Sequence, residues 1–517
     1  MLAGGTTYYV SPGGDDSSPG TSINQPWKTV ERVNVQRLRP GDTILFQGGQ
    51  SFDGGLYVST KEGGSAAASI VFSNYGTGRA TIRSGSVAGL EVSEVGFVAI
   101  TNLNFIGGDS TNDTSGIYIH AGMADRVLSS FHIRNVDAQR YGREGVTLIA
   151  SGDRASISDV KIERSSFHDN RWGGVNFTGI MAATPVNHNV LVDHVTVYNC
   201  PGIQTDGFVT GNGIYLANVS DARVQRCVVY NNGTNGVAPV GIWSAGSTRV
   251  VFQYNESYGN KTASATDGGG FDFDWDVTDS VMQYNYSHDN DGPGFMLGGG
   301  EHTNTGNVIR YNVSENDARK NGKGSIYIWG RVLAASIYNN VVYHSATGNS
   351  ASAALRATDA GGEIAGGVEI NNNIFYSAGG AKLINLLDTI AASSNFHFAG
   401  NAYYSGADAF AIQWGSSNYG SLTSWRDATR QERTRTKLTG YQGNPRLINA
   451  GNGGTIGNAD LLDQLIGYRL QKRSPLVDRG RGYPPGIGGA GDVPVTDFFG
   501  EPALLGSQID IGVDELR

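Results

Sequence analysis

Short runs in which apolar and polar residues alternate, each opened by glycine, recur along the chain. They read GVTLIA from position 145, GVNFTG from 174, GIYLAN from 213, GIWSAG from 241, GFDFDWD from 270, GFMLGG from 294 and GSIYIWG from 324. Alternation this brief predicts strands with one face turned inward and one outward. A second phrase returns between them: QYNES, QYNYS, RYNVS, YNNVVY, NNNIFY and AGNAYY. Its asparagines are Asn255, Asn285, Asn312, Asn340, Asn373 and Asn401, at intervals of 30, 27, 28, 33 and 28 residues. A period of this size marks a solenoid whose coils bury their apolar faces on one another. An asparagine on the same bend of every coil is placed to hydrogen-bond its amide to the next coil. The predicted fold is all-β, a right-handed parallel β-helix, with the hand supplied by the general rule for parallel crossovers.

The alternation also assigns faces. Val146, Val175, Ile214, Ile242, Phe271 and Phe295 are predicted to fill the interior. Thr147, Asn176, Tyr215, Trp243, Asp272 and Met296 then form an outward column with steps of about 4.8 Å. Tyr215 and Trp243, with Tyr327 and Trp329 further along, offer flat apolar faces with polar edges, which suit sugar rings. Organisation follows the pattern: a lead-in and helical cap over 1–85, coils over 86–405, and an irregular C-terminal cap over 406–517, all in one domain.

Composition supports this reading. Glycine supplies 75 of 517 residues and charged residues only 16%, as expected where strands and turns dominate. A formal charge of −9 argues against a nucleic-acid partner, and no run is long and apolar enough for a membrane span. Neither feature conflicts with a carbohydrate partner. The polar opening MLAGGTTYYV is consistent with a trimmed, mature secreted chain. Cys200 and Cys227 fall in different columns of the repeat, which predicts two free, packed thiols.

The opening segment resembles a known group. Tyr9, Val10, Ser11, Pro12, Asp15, Gly20, Thr21, Pro26, Trp27, Thr29, Pro40, Gly41 and Asp42, together with the closing SPLVDRG and DIGVDELR, are similar to the ends of secreted bacterial β-helix enzymes of the pectate-lyase-like superfamily. That resemblance implies an enzyme acting on polysaccharide, a glycoside hydrolase or a polysaccharide lyase. The stretch from Asp274 through Trp275 to Asn285 is also similar to the surroundings of the nucleophilic carboxylate in one β-xylosidase-type β-helix family.

The sharpest chemical signal is GFDFDWD. If Phe271, Phe273 and Trp275 are core, then Asp272, Asp274 and Asp276 protrude in a row, roughly 6.6 Å apart. Like charges so close, set against aromatics, raise at least one pKa and mark a site. The expected function is glycoside hydrolysis, with Asp274 as nucleophile or base and Asp272 or Glu301 as proton donor. Tyr215, Trp243, Tyr327, Trp329, Asn176, Asp276, His302 and Asp206, on an overhanging loop, are the expected substrate contacts. This chemistry requires no cofactor. The alternative is a lyase or epimerase on a uronic-acid polymer: the resemblance to lyases of this superfamily implies a Lys or Arg base and often Ca²⁺, for which Lys323 is the available base and Asp267, Asp289 and Asp291 the candidate ligands. His288 is predicted to be one member of a stack with Tyr198, Tyr230, Tyr258 and Tyr343.

Overall fold

The computed structural model describes residues 4–60, 62–109, 111–180, 184–204, 209–392, 395–435, 437–482 and 494–516. Contacts divide the chain into two compact units, residues 1–227 and 228–517.

In the first unit each coil runs through three strands that pair in parallel with the equivalent strands of the next coil. One sheet contains Thr7–Val10, Thr43–Gln47, Ile70–Tyr75, Val98–Thr101, Val127–Arg134, Ser156–Glu163, Asn187–Asp193 and Val219–Gln225. A five-residue helix, Val30–Asn34, is capped by Thr29, whose side chain accepts from the Arg32 amide, and it buries Val30 and Val33. The column Thr147, Asn176, Tyr215 is in register as the alternation predicts. Cys200 and Cys227 are free and buried, and burial pushes both thiols up to about 12.

The second unit repeats the plan. Its central sheet stacks Val240–Ala245, Gly269–Phe273, Phe295–Thr305, Gly324–Leu333, Ala353–Thr358, Lys382–Leu386 and Ile412–Trp414. A single left-handed residue makes each sharp bend: Tyr254, Tyr284, Tyr311, Asn339 and Asn372 have φ between 50° and 56°. That conformation is strained for tyrosine, and ring stacking of Tyr254 on Tyr284 at 5.0 Å accompanies it. The next residue in each phrase is the predicted asparagine. Asn312 illustrates its bonding: its Oδ1 accepts from the Asn285 amide at 2.9 Å, and its Nδ2 donates to Asn340 Oδ1 at 3.0 Å. All six ladder asparagines are buried. The stack ends on Glu432, whose Oε1 accepts from the amide and the Nδ2 of Asn401.

Candidate active site

The strand Gly269–Phe273 carries the acidic segment. Phe271 and Phe273 are fully buried, as the alternation requires. The strand then ends: the Asp274 amide bonds back to the Ser244 carbonyl at 2.9 Å, and Asp276 turns left-handed at φ 56°. Trp275 therefore does not enter the core as its pattern predicts but stands 44% exposed. The row of three equivalent carboxylates is replaced by three different environments.

Asp272 is the innermost. It lies in register between Trp243 and Met296, and at 2% exposure it is enclosed where an outward position was expected. Trp243, Met296 and Tyr327 are buried with it, so this column is a closed wall and not the open groove that alternation suggested. Asp274 is partly exposed at the mouth. Among the described residues, one carboxylate oxygen of Asp272 and one of Asp274 are buried with no hydrogen-bond partner. Burial, then the charges of Asp274 and Asp267, raise Asp272 well above the usual carboxylate range. Burial and then the Asp267 charge do the same to Asp274.

Asp267 and Lys323 complete the cluster. Asp267 precedes the glycine run and is itself left-handed at φ 46°. Lys323 donates to its Oδ1 at 2.9 Å and lies 5.4 Å from the centre of the Tyr327 ring. Burial works against the Lys323 charge, but Asp267 first, then Tyr327 and Asp272, more than offset it, so its proton is held more tightly than in water. Sequence reasoning considered both residues only for a lyase. The available signal for Asp267 was an acid placed directly before three glycines.

Glycine is needed beneath the site. A Cβ on Gly298 would come within 2.6 Å of Asp274 Oδ1, and one on Gly300 within 3.3 Å of both Trp275 and Trp329. The strand Phe295–Thr305 thus presents a bare backbone floor between the carboxylate and two indoles. His302 stacks on Trp275 at 5.7 Å and bonds Asp276 at 2.9 Å, so both belong to the rim. Tyr327 bonds Thr358 at 2.7 Å from within the wall.

Other predicted residues lie elsewhere. Glu301 is exposed, and its carboxylate lies near Gly361; no hydrogen bond or ion pair joins it to Asp272 or Asp274 among the described residues. In the first unit Asn176 donates to the buried Glu144 at 3.1 Å, and Tyr215 is half-buried. Asp206 lies outside the described residues. The set proposed for Ca²⁺ is not gathered: Asp267 pairs with Lys323, Asp289 with His288 and Asp291 with Lys261. Among the described residues no cluster of three His, Cys, Asp or Glu side chains is placed to hold a metal ion.

Residues 209–342 match the family model described as the right handed beta helix region. The chain is a right-handed parallel β-helix. This β-helix is 29% identical over 454 residues to the lacto-N-biosidase of Bifidobacterium longum subsp. longum, an alignment covering 66% of the chain but 27% of that protein. It therefore spans little more than a quarter of that curated relative's length. Among solved structures, the β-helix matches XylC in complex with xylose at a TM-score of 0.54, with 11% identity and 98% of each chain covered. The native GH136 lacto-N-biosidase from Eubacterium ramulus matches at a TM-score of 0.49, with 18% identity over 64% of each chain.

Proposed function

We propose that this β-helix is a glycoside hydrolase, and that its substrate carries the lacto-N-bioside unit named in its Bifidobacterium relative. The observation that carries the reading is the pair formed by Asp274 and Asp267, set over a side-chain-free floor and beside exposed indole. Asp274 is the attacking group, as nucleophile or as base towards water. Its Oδ1 is buried without a hydrogen-bond partner against Gly298 while the residue as a whole is partly exposed, and the desolvation that raises its pKa also leaves the carboxylate poorly solvated and reactive. The Lys323 ammonium holds Asp267 as a carboxylate, and that fixed charge stabilises the cationic character that develops at the anomeric centre. Asp272, the expected proton donor, is 2% exposed and too enclosed to touch a glycosidic oxygen. Trp275, Trp329 and His302 supply the platform for a sugar ring.

Lyase chemistry is disfavoured by the same geometry. A base needs a free electron pair, whereas Lys323 holds its proton more tightly than in water. The test is to incubate the full chain with aryl and oligosaccharide lacto-N-biosides and with neutral and uronic-acid polysaccharides. New reducing ends without the ultraviolet absorbance of unsaturated uronates support hydrolysis. Unsaturated products that disappear in Lys323→Ala would overturn it in favour of elimination.

A further inference from the structure

A second site lies away from the acidic cluster. Residues 426–438 read RDATRQERTRTKL, five basic positions in a chain whose formal charge is −9. The two acids in that stretch do little to neutralise them. Glu432 is fully buried, and its oxygens accept from the amides of Gly400 and Asn401 and the hydroxyls of Tyr403 and Thr439, so its charge is spent closing the asparagine ladder. Asp427 pairs with Arg433 at 2.6 Å. Arg426 is committed to the carbonyls of Thr439 and Gly440.

The other arginines of this stretch line one cleft of about 990 Å³. Arg430, Arg433, Arg435, Arg481 and His397 line it against a single lining carboxylate, Glu369. Arg430, Arg435 and Arg481 have no ion-pair partner among the described residues. Arg430 caps the C-terminus of the helix Leu422–Thr429, Arg435 lies beyond it, and Arg481 comes from a separate segment docked on Asn372 through its backbone amide at 2.8 Å. Tyr419 and Trp414 contribute aromatic wall.

Arginines gathered from separate segments repel one another, and among the described residues Arg430, Arg435 and Arg481 have no ion-paired counter-charge. Their planar forks match carboxylate and sulfate oxygens two at a time. The volume suits an oligosaccharide better than a lone ion, and aromatic wall beside the arginines suits a sugar ring. We propose that this cleft binds an acidic oligosaccharide, with the arginines reading its carboxylate or sulfate group. The site is independent of the hydrolase reading, since it needs no turnover and shares no residue with the Asp274 cluster.

Calorimetric titration of the full chain, and of Asp274→Asn, with sialyllactose, sulfated lactose, lactose and inorganic sulfate tests the proposal. The expected result is binding of one or both acidic saccharides, weakened by added salt, unchanged in Asp274→Asn, and at least tenfold tighter than lactose. The relative affinities of the sialyl and sulfated sugars identify which anionic group the cleft reads. Arg430→Ala with Arg435→Ala should weaken this binding at least tenfold, and Arg481→Gln, on a different segment, should weaken it independently. Equal affinity for lactose would overturn the proposal, as would equal affinity for inorganic sulfate or acidic-sugar binding that survives both sets of substitutions.

Discussion

Taking an unpaired carboxylate out of water costs several kcal/mol unless it keeps its proton. Asp272 meets that condition: burial first, and then the neighbouring charges, raise its pKa. Because its folded value lies above the unfolded one, its favourable contribution is complete below about pH 4 and is lost as pH rises through the folded value. Asp272→Asn has no proton to lose. Its thermal unfolding midpoint should therefore exceed that of the parent chain by a margin that widens from pH 5 to pH 8, and parallel curves would refute this. The alternation of Phe271, Asp272 and Phe273 was legible in the sequence because strand period alone assigns those faces. Trp275 was not, because nothing in GFDFDWD marks where the strand stops. The left-handed turn at Asp276 exposes the indole, and aspartate tolerates that conformation without announcing it. Glu301 was misplaced for a related reason. The strand Phe295–Thr305 shifts register around Gly298, Gly300 and Asn304, and a bulge re-aims every side chain beyond it.

At the scale of the element, the coil is held by stacked amides as well as by apolar filling. Asn312 accepts from the amide and side chain of Asn285 and donates to the carbonyls of Met282 and Arg310. Removing that side chain leaves several buried groups unpaired, each worth about 1–3 kcal/mol. Asn312→Ala should accordingly lose roughly 3 kcal/mol or more in denaturant unfolding; a loss under about 1 kcal/mol would show that the ladder is ornamental. This ladder was readable in full because stacking forces one residue type to recur at one bend. A second stack, Asn232, Asn260, Asn290 and Asp317, runs beside it. Its last member is an acid, and burial pushes that carboxyl up to about 6. Glu432 closes the first ladder from a loop beyond the repeat, where no period exists to reveal it.

Across the second unit as a whole, the C-terminal segment is fastened to the coils through buried acids. Glu256 accepts the amides of Ile456 at 2.7 Å and Gly457 at 2.6 Å. Glu315 accepts the Gly453 amide and the Tyr468 hydroxyl. His288, in the predicted aromatic stack on Tyr258, sits between Glu256 at 3.3 Å and Asp289 at 2.9 Å. Burial opposes its charge, but Asp289 and Glu256 prevail and raise it to about 9. A histidine whose folded value is raised contributes fully below about pH 6.5 and loses that contribution as pH passes 9. At roughly 1.4 kcal/mol per unit of displacement, the contribution is on the order of 3 kcal/mol. His288→Gln should therefore lower the unfolding midpoint clearly at pH 6 and much less above pH 9, and a constant gap would contradict the ionic role. These links join residues up to 201 positions apart, and no local pattern encodes them. The stack that holds His288 could be read, but its two carboxylate partners could not be assigned a purpose until the C-terminal segment was in place.

The central claim is that Asp274 attacks the glycosidic centre or activates the water that does. Its most direct test is the hydrolysis rate of Asp274→Ala on an aryl lacto-N-bioside, with and without sodium azide, alongside the unfolding midpoint. The account predicts a loss of about 10³-fold or more in kcat, partial recovery with azide through a glycosyl azide product, and a fold at least as stable as the parent. Hydrolysis at the parent rate by a properly folded Asp274→Ala would contradict it.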